Sequence, residues 1–203
     1  MFIPHLFKET NEEEINHIID ANPFGTLITT IGKKPIATHI PMLRRTIDGT
    51  KYITGHLAKE NEQAEAIVQE VKDALVIFQG PHAYVSSSWY ESENVPTWNY
   101  QVVHLYGKLM PLTEEELIED LTILLELFET GRRDAVLWET ISDKTKQQVH
   151  GIIGFKLRID RIEAASKLSQ NRNDVDYGRI VAQLERGDEM ERQVASEMKK
   201  RRT

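Results

Sequence analysis

The spacing of apolar residues changes period several times along this chain, and each change marks an element. Thr10-Asn11-Glu12-Glu13 has capping-box spacing, with the Thr10 side chain placed to accept from the backbone three residues on. Ile15, Ile18 and Ile19 then share one helical face, and Asn22-Pro23 ends the helix. From Phe24 the pattern turns to short β-rich runs at 24–31, 36–43 and 52–54. They are separated by Gly32-Lys33-Lys34-Pro35 and Asp48-Gly49, which predicts a three-stranded antiparallel meander.

Ala64, Ile67, Val68 and Val71 lie at helical spacing and predict a helix over 61–71. The continuous apolar run 74–78 and the segment 102–109 predict strands. Thr113-Glu114-Glu115-Glu116 is a second capping box, and Leu117, Leu121, Leu124, Leu125 and Phe128 give the helix behind it a wide apolar stripe. Phe155, Leu157 and Ile159 alternate with Lys156, Arg158 and Asp160, the pattern of a half-buried strand. Beyond Ile162 the composition turns polar, and 176–185 and 188–202 read as surface helices. The strands follow one another with helices inserted between them and without a βαβ rhythm. The expected fold is therefore mainly β, an antiparallel barrel with peripheral helices and C-terminal helices. The expected division is a barrel domain over 1–165 and a loop with a helical tail over 166–203.

Composition narrows the chemistry. With 203 residues and 40% hydrophobic content the chain can bury a core without staples. The absence of cysteine removes disulfides, thiolate zinc sites and cysteine nucleophiles together. The N-terminal residues lack the basic and apolar regions of a signal peptide, and no apolar stretch approaches the ~20 residues of a membrane span. The expected location is cytoplasmic. A formal net charge of -7 repels nucleic acid and anionic membranes. The seven histidines show neither His-x-His nor His-x-x-x-His spacing, and no Rossmann or Walker sequence and no nucleophile elbow is present.

Three segments carry candidate binding chemistry. Four of the six tyrosines and two of the three tryptophans fall between Tyr84 and Tyr106, in GPHAYVSSSWY and VPTWNYQVVHLYG. Planar rings interleaved with Ser, Thr, Asn and His suit a planar, hydrogen-bonding ligand, although an aromatic barrel wall would give the same pattern. Trp89 and Tyr90, beside three serines, read as loop aromatics in need of a partner. In ITGHLAKENEQAEAI a strand ends at His56, Lys59 follows, and a helix start near Asn61 would supply backbone N–H groups for a phosphate; a solvated lysine accounts for the same residues. KLSQNRNDVDYG is either a capped helix start, with Asn173 or Asp174 as the cap, or a loop folding over a ligand.

FGTLIT, GHLAKENEQ, the two aromatic segments and IIGFKLRIDRIEAASKLSQNR occur here in the order and spacing of the PaiB family, which the chain resembles over nearly its whole length. The resemblance implies an FMN-binding split β-barrel of the pyridoxamine-phosphate-oxidase-like class, a homodimer, and negative regulation of transcription linked in bacilli to protease synthesis and sporulation. By the same resemblance Thr38, His39, Ile40 and Pro41 would line the flavin. Thr54, His56, Ala58 and Lys59 would hold its phosphate, and Trp98 and Asn99 would approach from the partner subunit. Lys167, Ser169, Gln170 and Arg172 would close the site. Two positions depart from the family pattern: Ser87 stands where a proline is usual, and Glu62 follows Asn61 and adds negative charge beside the expected phosphate.

An FMN-binding regulator is the leading expectation, with FMN as cofactor and no catalytic residue assigned. The alternative is an FMN-dependent oxidoreductase, in which the flavin itself performs the chemistry. A haem-degrading barrel protein would need an axial ligand, and no histidine follows His150. Sequence-specific DNA binding by this chain alone is not expected. The most amphipathic helix carries Glu114, Glu115, Glu116, Glu119, Asp120 and Glu126, and the positive run Lys199-Lys200-Arg201-Arg202 suits a helix C-terminus.

Overall fold

The structure, a computed structural model, describes residues 1–68 and 72–202. Among these, the strands are β1 (Lys8–Glu9), β2 (Phe24–Ile31), β3 (Lys34–Ile47), β4 (Thr50–Ala58), β5 (Lys72–Val85), β6 (Thr97–Pro111) and β7 (Ile152–Lys167). The helices are α1 (Glu12–Ala21), α2 (Ala64–Val68), α3 (Glu114–Glu129), α4 (Asp143–Lys146), α5 (Asp174–Leu184) and α6 (Glu189–Arg201). Strand order is β1-β7-β4-β3-β2-β5-β6, and β7 also pairs with β6, so six of the strands return on themselves as a barrel. The chain divides into two compact units. One comprises Met1–Asn22, Phe78–His104 and Glu163–Thr203, the other Pro23–Ile77 and Leu105–Ile162.

The second unit holds the meander that the turn residues predict. β2 pairs antiparallel with β3 from Phe24↔Pro41 to Ile31↔Lys34, and β3 with β4 from Met42↔Gly55 to Ile47↔Thr50. At the β3–β4 turn Asp48 and Gly49 both have positive φ (49° and 76°), the backbone of a two-residue hairpin whose twist matches the strands it joins. β4 then pairs with β7 from Tyr52↔Arg158 to Ala58↔Ile152. The inward side chains Leu27, Met42, Ile53, Leu57, Phe155 and Leu157 are buried. One buried glutamine fastens the β2–β3 hairpin. Gln63 Nε2 donates toward the Leu27 carbonyl, the Thr29 hydroxyl and the Ile36 carbonyl, and Thr38 Oγ1 donates to Gln63 Oε1. α3 starts on the Thr113–Glu116 capping box and is tied to β3 by Arg45, which donates to Asp120 (2.5 Å) and Glu119 (2.7 Å).

The first unit builds a core of its own. Ala83 and Val85 of β5, Tyr90, Leu168 and the inner faces of α5 and α6 pack together, with Ile180, Leu184, Val194 and Met198 fully buried. The Tyr177 hydroxyl donates to the Met198 carbonyl at 2.6 Å. The two C-terminal segments expected as surface helices thus bury one face each. Tyr90 is only 6% exposed and Trp89 packs against the same core, so this pair is held by the C-terminal helices and not displayed on a loop.

Two further expectations change. α1 is capped by Asn11, whose Oδ1 accepts from the Glu13 and Glu14 amides, while the Thr10 amide donates to the Glu9 carboxylate. Adjacent Thr and Asn are both competent caps, and the neighbouring carboxylate decides between them. α2 covers only Ala64–Val68, because Asn61 Oδ1 accepts from the Gln63 amide and turns the chain before a helix can begin; Val71 lies outside the described residues.

Closure of the barrel requires Gly107. A Cβ there would collide with the Arg158 carbonyl oxygen and lie 2.8 Å from its carbon. Gly107→Ala should force β6 and β7 apart and destabilise the protein by about 1–3 kcal/mol or more, read as a lower urea midpoint. An unchanged midpoint would mean that the two backbones do not approach this closely.

Candidate functional site

In the second unit, strand alternation sorts the expected ligand residues. Thr38 and Ile40 share the inward side of β3 with Met42, whereas His39 and Pro41 point outward. His39 is exposed. Its Nδ1 lies 2.9 Å from Thr26 Oγ1 and its ring stacks on Phe24 at 6.4 Å between centroids. Phe24 is 68% exposed, and with Thr26 it belongs to the same outer face. Thr38, half-buried, is engaged by Gln63 and by Asn61 Nδ2 at 3.1 Å.

On β4, Thr54, His56 and Ala58 occupy one side. Thr54 has no exposure; its hydroxyl reaches the Leu43 carbonyl and the Asp120 carboxylate of α3. It braces α3 and presents no atom to solvent. Burial raises the Asp120 pKa, with the Thr54 contact and the Arg45 guanidinium opposing that shift. His56 is half-buried, and desolvation lowers its pKa, which keeps the imidazole neutral at neutral pH. Ala58 and Lys59 are exposed where β4 ends. The Lys59 amide donates to the Gly151 carbonyl at 2.9 Å, while its ammonium has no partner among the described residues. Lys59 also lines a cavity of about 160 Å³ together with Thr113, Glu114, His150 and Gly154.

In the first unit, the expected pair Trp98–Asn99 splits across the strand. Trp98 is 53% exposed and packs edge-on against Tyr84 at 5.9 Å, with His82 at 6.4 Å. Asn99 is fully buried, donating to the Met198 sulfur at 3.4 Å and accepting from Ser169 Oγ at 2.9 Å. The KLSQNR loop is held tightly from within. Ser169 has a left-handed φ of 58°. Gln170 accepts from the Leu168 amide at 2.7 Å and donates to the Ser166 carbonyl at 2.7 Å. Asn173 caps α5. Lys167 donates to Thr97 Oγ1 and lies near Phe7, and the Arg172 guanidinium lies 4.6 Å from the centre of the Tyr90 ring.

Sequence reasoning missed Phe24 and Thr26 beside His39. Period-two alternation along β2 carried the signal, once the β2–β3 register is known. It missed Gln63 and the Tyr90–Arg172 stack altogether. Both depend on contacts between residues distant in sequence.

A family described as "Putative FMN-binding domain" matches residues 1–161. The Bacillus subtilis "Protease synthase and sporulation protein PAI 2" is 52% identical over 186 residues, covering 91% of this chain and 89% of that protein. Among solved structures, an FAD and haem binding protein from Mycobacterium smegmatis superposes with a TM-score of 0.63 at 18% identity, over 84% of this chain and 78% of that one. A flavocytochrome from Azotobacter vinelandii gives 0.61 at 16%, over 86% and 76%. These two share the fold. The family match and the Bacillus relative go further: this chain belongs to the PaiB family of FMN-binding split-barrel proteins, with FMN as its cofactor.

Proposed function

We propose that this chain is a homodimeric, FMN-binding regulatory protein that lowers expression of its targets indirectly, through the state of its flavin, and not by reading DNA itself. The link to protease synthesis and sporulation comes from the name of the Bacillus relative. The observation that carries the flavin reading is the family match over 1–161, joined to an exposed Lys59 at the end of β4 whose ammonium has no partner among the described residues. The donor set suits FMN. Lys59 offers a charge for the phosphate beside Ala58, where no side chain obstructs approach, and the half-buried His56 lies on the same strand. On the adjacent strand and the same outer face, His39 and Pro41, flanked by Phe24, offer a flat surface to a ring system. Thr38 and Ile40 lie on the inner side of β3, and Thr54 backs the outer face beneath α3. The flavin supplies redox chemistry when bound.

Trp98 of the partner subunit would flank the flavin, with Asn99 holding that strand from its buried side. Phe24 and Trp98 are large apolar groups left in water by a single copy, and a second copy is the cover we assign to them. In the first unit Ser169 and Gln170 fix the shape of the KLSQNR loop, and Lys167 and Arg172 supply its charge.

The basic C-terminal run supports the indirect route. Lys199 pairs with Glu185, Lys200 with Glu197, Arg201 with Glu9 and Arg202 with Asp174, so its charge is answered within the fold. Phosphate contacts need cations free to release counterions.

Three outcomes are expected. Lys59→Ala should weaken FMN binding about tenfold or more and leave riboflavin binding nearly unchanged in fluorescence titrations; equal losses for both ligands would place Lys59 away from the phosphate. Light scattering at micromolar concentration should give the mass of a dimer, and a monomer throughout would remove the proposed role of Trp98. In anisotropy titrations at physiological salt, promoter and scrambled duplexes should behave alike with or without FMN. Saturable, promoter-selective binding would overturn the indirect route.

A further inference from the structure

We infer that Lys167 and Arg172 form a binding site for a phosphate or carboxylate group. The inference does not depend on where the flavin lies. It starts from a contrast within one unit. Arg179, Lys199, Lys200, Arg201 and Arg202 each face a carboxylate. Lys167 and Arg172 face none among the described residues, although both are half-buried and close enough for the Arg172 charge to act on Lys167. Two like charges, partly removed from water and without an internal counterion, are unfavourable in the empty protein and become favourable when an anion joins them.

The groups around the pair carry the same message. Arg172 Nε and the Tyr90 hydroxyl are buried with no hydrogen-bond partner among the described residues, and the guanidinium lies over the Tyr90 ring. Buried donors rarely go unmet, and these two could be met by an anion that joins the cation pair. Three other polar side chains of this stretch are engaged in holding it. Ser169 is bonded to Asn99, Gln170 to Leu168 and Ser166, and Asn173 to the start of α5. The Ser169 backbone sits in the left-handed region that a serine seldom adopts. With the loop fixed, binding need not order it, which is the condition for tight recognition by few contacts. Lys167 provides a point charge and Arg172 a planar fork, the two complementary ways of meeting an oxyanion.

The test uses the purified full-length chain and inorganic phosphate. Desolvation and the neighbouring Arg172 lower the Lys167 pKa, so its amine should acylate readily with acetic anhydride, followed by peptide mass spectrometry. Phosphate should protect Lys167 in a saturable manner. Calorimetric phosphate binding should weaken about tenfold or more in Lys167→Gln and in Arg172→Gln. Protection by FMN but not riboflavin would assign the anion to the flavin's own phosphate. Protection by phosphate that FMN neither mimics nor blocks would assign it to a separate ligand. Loss of FMN binding by the protein with phosphate protection intact would refute the flavin reading alone. Absence of protection in the unaltered protein, or phosphate binding indifferent to both substitutions, would overturn this site.

Discussion

The barrel depends on one place where two backbones come closer than any side chain permits. β7 must pair with β4 and also meet β6, and at Gly107 it does so with the Arg158 carbonyl occupying the space of a Cβ. The β2–β3 and β3–β4 pairings of the second unit are hairpin steps that neighbouring segments of chain can form readily. The β6–β7 contact joins segments some fifty residues apart, roughly the kind of long closure that only gains once the shorter steps are in place. Closure then places the β4 end, with Ala58 and Lys59, at a fixed position against the Gly151 backbone.

Inside that frame, polar groups act chiefly as fasteners. Gln63 bonds to carbonyls and a hydroxyl of β2 and β3, and Arg45 anchors α3 through Asp120 over the buried Thr54. Asn99 and Ser169 do the same for the KLSQNR loop. A polar residue in a family motif can thus serve as a strut within the fold, as the buried Asn99 and Ser169 do.

Charge follows a similar division. An acidic chain has carboxylates to spare, and the C-terminal helices use them to neutralise their own cations. Against that background Lys59, Lys167 and Arg172 stand out, because they face no carboxylate among the described residues. Recognition of anions by single placed cations, in place of a broad basic surface, suits a small ligand better than a duplex.

The sequence by itself determined the order of elements, the antiparallel meander, the two hairpin turns, the capping box of α3 and the family with its cofactor. These rest on local signals, namely period, turn chemistry and motif spacing, which survive without knowledge of neighbours. It determined strand existence better than strand length: β3 runs to Ile47 and β7 to Lys167, because pairing partners extend a strand past its clearest alternation. Only the tertiary structure decided which motif residues point outward. Trp98 and Asn99 are adjacent in sequence and on opposite faces of β6, and Thr54 is covered by a helix that starts some sixty residues later. It also decided that the polar C-terminal segments carry a core, and that Lys167 and Arg172 face no carboxylate among the described residues. Facing and pairing are properties of residues brought together across the fold, and no local pattern records them.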